Sequence, residues 1–217
     1  MNRFLLGPLA KPLVFALALL PAMWLLYAAL TDGLGANPAE ALVRGMGDWT
    51  LRFLCLVLAV TPLRELAGWP ALARLRRMLG LFVFFYAALH LLSYAWFDMG
   101  LELADIARDI GKRPFILVGF SAFVLLTLLA ATSFNRAVRW LGGRRWQALH
   151  RAVYAVAVLA VLHFLWMRTG KNDLAEVGLY AAILGVLLGW RVSRRVARRA
   201  SGPPPSRVGE SGAPDSR

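Results

Sequence analysis

The sequence predicts an all-α integral membrane protein, a bundle of six transmembrane helices with both termini in the cytoplasm. Three observations lead there. Of 217 residues, 59% are hydrophobic and only 17% are charged, a balance outside that of ordinary soluble domains. The apolar residues gather into six stretches, most of them near the roughly 20 residues that cross about 30 Å of hydrocarbon. The basic residues gather between alternate stretches, which sets the orientation. Lipid offers backbone N–H and C=O groups no water, so each stretch is expected to close its own hydrogen bonds as a helix, and the short loops make an antiparallel bundle.

The first span runs from Pro12 to Leu30. Arg3 and Lys11 precede it as in a signal peptide, but it is long for an h-region and has no convincing small-x-small cleavage site, so it reads as a permanent helix. The second, Trp49 to Pro62, and the sixth, Val177 to Trp190, are the shortest and are expected to extend into their flanks. The third, fourth and fifth run from Met78 to Phe97, Pro114 to Ser133 and Leu149 to Met167. Residues 1–199 read as one membrane domain, and 200–217, rich in Pro, Ser, Gly and charge, as a disordered cytoplasmic tail.

With the N-terminus inside, the inner segments hold 17 of the 25 basic residues and the outer loops hold six, with Arg52 and Arg151 just within span ends. Nine of the twelve acids fall in the outer loops. The net charge of +13 therefore lines one membrane face, where anionic lipid rather than nucleic acid is the expected partner. Tryptophans mark the interfaces: Trp49, Trp96 and Trp166 at outer ends, Trp69, Trp140, Trp146 and Trp190 at or beyond inner ends, and only Trp24 well inside a span.

Several chemistries are excluded. A lone Cys55 cannot form an intrachain disulfide, a c-type haem attachment, an iron–sulfur cluster or a thiolate zinc site, and reads as an apolar filler. All twelve acids lie outside the apolar cores, unlike the intramembrane carboxylates of proton and cation transporters. HExxH, GxSxG and a Gly-rich phosphate loop are missing. Three histidines remain.

His90 lies twelve residues beyond Met78 and His163 fourteen beyond Leu149, about 18 and 21 Å along two helices that both run outward. The two imidazoles thus share a level in the outer half of the bilayer. An imidazole in hydrocarbon is costly, and a depth-matched pair without acidic partners points to a shared ligand rather than to two separate interhelical hydrogen bonds. Zinc or copper would be left with unfinished coordination, whereas haem needs two axial bonds from protein, and bis-imidazole ligation favours electron transfer over oxygen binding. Ala87 and Ala160, one turn earlier, would let a flat macrocycle approach; Tyr86, Ser93, Tyr94 and Trp166 are placed to pack on it or to hold an imidazole tautomer.

His150 is read as opening the fifth span at the cytoplasmic interface, beside Arg151. It is either a solvated headgroup histidine or part of a second site for a weakly held haem, a flavin or a quinone, with nearby arginines meeting a phosphate or carbonyl. Thirteen residues before His90 stands Arg77, not histidine, so a second haem would lack an imidazole partner.

Arg76-Arg77-Met78-Leu79-Gly80-Leu81 leading through Phe84, Phe85 and Tyr86 to His90, then Lys112-Arg113-Pro114-Phe115, then Trp140-Leu141-Gly142 with Arg145-Trp146-Gln147-Ala148-Leu149-His150-Arg151 and His163, resemble the MsrQ (YedZ) family within the ferric reductase-like transmembrane group. The likeness covers residue 8 to about 199. It implies an inner-membrane b-type cytochrome subunit of a bacterial methionine sulfoxide reductase system, with at least one haem b held by His90 and His163 and the family's third histidine on His150. It also implies FMN as a further cofactor, the quinone pool or a cytoplasmic flavin reductase as electron donor, and a periplasmic molybdenum-containing catalytic subunit (MsrP-like) as acceptor, in the repair of oxidised envelope proteins. Sulfoxide turnover would belong to that partner, docked on the outer loops 98–113 and 168–176. Larger relatives ligate two haems with four histidines, and the Arg77 position departs from that pattern. Two other readings stay open: a membrane ferric reductase, and a haem-free transport or assembly protein with structural histidines.

Overall fold

A computed structural model describes residues 6–169 and 174–200, side chains at 198 and 199 excepted. All of its regular elements are helical: α1 (Ala10–Leu30), α2 (Pro38–Leu66), a 3-10 turn (Pro70–Arg74), α3 (Arg76–Phe97), α4 (Leu103–Lys112), α5 (Pro114–Ala131), α6 (Asn135–His150), α7 (Val153–Thr169) and α8 (Ala175–Ala200). Six helical stretches are long and apolar enough to cross a membrane, the fifth being α6 and α7 together.

The two short spans do extend. Asn37 caps α2 by accepting the Glu40 N–H at 3.1 Å, and its own amide donates to the Glu40 carboxylate. Pro38, with φ preset for a first turn, follows the cap, so the helix starts eleven residues before Trp49, where the apolar run begins. At the other end α8 continues to Ala200, carried beyond the apolar segment by good helix formers, Arg and Ala. Of the segment 200–217, expected to be disordered, Ala200 closes α8 and 201–217 lie outside the described residues, as do Arg3 and Lys171.

The core sits where α2 meets α3, with α5, α7 and α8 closing around it. Leu54, Leu58, Val83, Tyr86 and Val156 are almost fully buried. α1 is peripheral. Its buried face is small, Ala10, Ala18, Ala22 and Ala28 with Leu25, while Phe15, Met23, Trp24 and Tyr27 face outward. Tyr86 pins it: the hydroxyl donates to the Ala18 carbonyl at 2.7 Å and accepts the Ala22 N–H at 3.1 Å, entering the backbone ladder beside Pro21.

A second proline is served the same way. Pro62 has no N–H, so the Leu58 carbonyl four residues earlier loses its helical partner. Arg191 of α8, only 8% exposed, donates to that carbonyl and also to the Leu187 carbonyl at 3.0 Å.

The outer loop 98–113 contains α4, a short amphipathic helix with no buried residue. One correction concerns a span boundary. The fifth span does not begin at Leu149. The helix containing His150 ends there, Arg151 and Ala152 form a turn, and α7 begins at Val153. α6 is itself bent at Gly142, whose φ of 71° and ψ of 149° no side-chain-bearing residue adopts readily. His150 and His163 therefore stand on different helices.

Candidate functional site

α2, α3, α5 and α7 surround a cavity of ≈ 300 Å³ that opens at the α4 end of the bundle. Its deeper wall is apolar, with Leu54, Ala87, Ala122, Leu126, Val156 and Ala160. Its mouth is charged, carrying Arg44, Asp48, Asp98, Arg113 and Arg168. Asp48, one residue before the apolar run read as the second span, lies within α2 because that helix starts at Pro38, and it lines the cavity. Each mouth arginine has an acid nearby, Arg44 with Glu40, Arg113 with Asp109 at 2.9 Å and Arg168 with Glu176 at 2.7 Å.

His90 projects into the cavity from α3 and His163 from α7. Their ring centroids are 6.2 Å apart and their planes are turned by 76°. His90 Nδ1 lies 2.8 Å from the Val43 carbonyl on α2, and His163 Nδ1 lies 2.7 Å from the Phe115 carbonyl on α5. A carbonyl only accepts, so each Nδ1 carries the proton and donates, which leaves each Nε2 with a bare lone pair. The close approach depends on glycine. A Cβ on Gly47 would stand 3.2 Å from His90 Nδ1, and one on Gly119 would stand 2.8 Å from His163 Nδ1.

Neither the carbonyls nor the glycines were candidates from sequence. The available signal was a glycine inside each of two apolar helices, a mark of close interhelical approach, but which of several glycines faces a histidine is a tertiary fact. The aromatic residues fall differently. Tyr94 lines the cavity and donates to Asp109 at 2.7 Å. Tyr86 is engaged with α1, and Trp166, 41% exposed, is not among the lining residues. The tautomers are thus held by backbone, not by these side chains.

His150, Arg77 and Arg151 also stand apart from the cavity. His150 Nε2 lies 3.2 Å from Thr132 Oγ1, and its ring stacks on Trp146 at 4.0 Å. Arg77 donates to the Asn135 side-chain carbonyl at 2.8 Å, and Arg151 is exposed at the turn between α6 and α7. Among the described residues no three His, Cys, Asp or Glu side chains converge on a metal-sized site.

Fold and site together define a polytopic helical membrane protein built around a shielded imidazole pair. The family model described as the ferric reductase like transmembrane component matches residues 45–161. The chain is 66% identical over 207 residues to a protein-methionine-sulfoxide reductase heme-binding subunit MsrQ of Polaromonas naphthalenivorans (strain CJ2), covering 92% of this chain and 94% of that one. Proteins of the same name from Bordetella pertussis and Rhodospirillum rubrum are 54% and 50% identical, over 88% and 94% of this chain and 92% and 96% of their own lengths. No solved structure matches the chain significantly. The chain belongs to the MsrQ family, within the ferric reductase-like transmembrane group, and is a multi-pass protein of the bacterial inner membrane.

Proposed function

We propose that the chain is a membrane b-type cytochrome, with one haem b held between His90 and His163. The observation that carries this reading is the histidine pair itself, with both Nδ1 atoms tied to carbonyls and 6.2 Å between ring centres. One metal ion bonded to both rings at imidazole distances of about 2.0–2.1 Å, the range known for zinc, would fit a spacing of this order. The surroundings suit the group as well. Apolar walls match a porphyrin face, and Arg44, Arg113 and Arg168 at the mouth suit its two carboxylates. Bound there, haem iron supplies reversible one-electron exchange at a potential set by its axial ligands.

The chain's own residues then do three things. His90 and His163 would hold the iron from both sides, an arrangement that favours electron transfer over oxygen binding. The Val43 and Phe115 carbonyls raise the basicity of those imidazoles through Nδ1. The apolar wall formed by Leu54, Leu126 and Val156 keeps bulk water from the deep side.

We further propose that both termini face the cytoplasm and that the cavity mouth faces the periplasm. Electrons would pass from the quinone pool or a cytoplasmic flavin reductase, with FMN as a further cofactor, to a periplasmic molybdenum-containing methionine sulfoxide reductase subunit that repairs oxidised envelope proteins. The basic excess at the end bearing His150, Arg77 and Arg151 supports this orientation and suits an anionic donor cofactor. The partner would dock on α4 and its flanks, beside the mouth.

Absorption spectra test the haem assignment. The purified wild-type chain should show a Soret band with low-spin α and β bands, His90→Ala and His163→Ala should abolish them, and His150→Ala should leave most of them. A haem-free wild type, or full retention in either of the first two variants, refutes the assignment.

A further inference from the structure

The two histidines are seated in the same way by different helices. On α2 the Val43 carbonyl accepts from His90, and four residues on stands Gly47; on α5 the Phe115 carbonyl accepts from His163, and four residues on stands Gly119. The sequence separations of donor and acceptor are nearly equal, 47 and 48 residues. In an α-helix the carbonyl of residue i already bonds the N–H of residue i+4. A ring N–H that reaches the second lone pair must lie flat against the helix over residue i+4, where a Cβ would project. The carbonyl and the glycine are therefore two parts of one notch.

Other glycines show that this is local. A Cβ at Gly80, Gly111, Gly143, Gly178, Gly185 or Gly189 would meet nothing within 4 Å. Gly45 is also crowded, but by the flexible end of Leu25, which can turn aside. At Gly119 the obstacle is the imidazole, 2.8 Å from Nδ1, 2.9 Å from Cε1 and 3.2 Å from Cγ.

We infer that Gly47 and Gly119 are positioning residues: with the Val43 and Phe115 carbonyls they form paired notches that fix the tautomer of each axial imidazole and hold the two ring planes crossed. This rests on the haem reading above and adds to it. The mutual twist of two axial imidazole planes sets how the iron d orbitals split, and a strong Nδ1–H bond adds imidazolate character that favours ferric iron. The 76° crossing and the tuning of the potential would thus both be properties of the helix surfaces opposite the histidines.

The test uses the full chain with haem in detergent, read by electron paramagnetic resonance, redox titration and haem retention against an apo-globin acceptor. Wild type should give the strongly anisotropic low-spin ferric signal of crossed imidazoles, dominated by one low-field feature. A rhombic signal of near-parallel planes overturns the inference, whereas a wild type without any bis-imidazole signal sinks the haem reading instead. Gly119→Ala should weaken retention by about 10–100-fold, as removal of outer-shell partners does, and should move the signal and raise the midpoint potential of what remains. Gly47→Ala, with a gap 0.4 Å wider by the two distances of 3.2 and 2.8 Å, should do the same to a smaller degree. Gly80→Ala, with open space around it, should change none of the three readouts. Should Gly119→Ala fail to accumulate, Gly47→Ala decides: unchanged signal, potential and retention overturn the inference.

Discussion

Arg191 and Pro62 should be energetically coupled although they sit on different helices. Arg191→Met removes the donor that serves the Leu58 carbonyl and leaves that acceptor buried among apolar side chains. An unmet buried acceptor costs about 1–3 kcal/mol. Interhelical hydrogen bonds measured in membranes fall lower, about 0.6 kcal/mol on average and about 1.7 at most, because the unfolded state also finds partners. Loss of a buried guanidinium returns part of the penalty by ending its own desolvation. A net destabilisation of about 1–2 kcal/mol is expected for Arg191→Met. In a Pro62→Ala background the residue-62 amide can take the Leu58 carbonyl, and Arg191→Met should then cost near zero. The four proteins, titrated with SDS in mixed micelles and followed by circular dichroism, give the coupling energy as the failure of additivity. A value of about 1–2 kcal/mol is expected; additivity within about 0.5 kcal/mol, the usual result for independent sites, refutes the claim that the arginine substitutes for the missing proline N–H.

Tyr86→Phe keeps the ring stacked on Phe53, 5.1 Å away, but removes both bonds to α1, so a loss of about 1–2 kcal/mol in the same titration is expected, with haem spectra unchanged. Asn37→Ala uncaps α2 and should cost about 1 kcal/mol, read as faster hydrogen exchange confined to the first turns of that helix. Gly142→Ala forces a side chain into a backbone region with φ of 71°; a cost of about 1–3 kcal/mol and a changed Trp146 fluorescence are expected, and an unaltered Tm and emission would show the bend to be dispensable. Gly80→Ala, unobstructed on a helix, should be neutral or stabilise by up to about 1 kcal/mol.

The spans and the shared level of His90 and His163 were legible because both follow from depth. Hydropathy gives where each chain segment enters lipid, and 1.5 Å per residue converts position into level. What depth does not carry is azimuth. Trp166 is one turn from His163 and was expected near the ring, yet it is 41% exposed, while Gly47 and Gly119, far away in sequence, touch the imidazoles. The same limit hid Asp48, since a hydropathy window ends where a polar residue begins, whereas a capped helix continues as long as its backbone bonds are closed. His150 was misplaced for a related reason. The residues from Leu149 on are apolar enough to extend a span, and nothing in their composition reports the turn at Arg151 and Ala152.

Because each imidazole is oriented by a carbonyl of a neighbouring helix, neither ring is oriented by its own hairpin arm alone: α3 relies on α2, and α7 relies on α5. During synthesis the nascent chain offers one competent nitrogen once α3 has entered the bilayer, and the other only after α7 follows, more than seventy residues later. If both nitrogens hold the cofactor, as proposed above, it would be admitted late, and a chain stalled before α7 would not sequester it. Cofactor capture would then be tied to completion of the membrane-inserted scaffold.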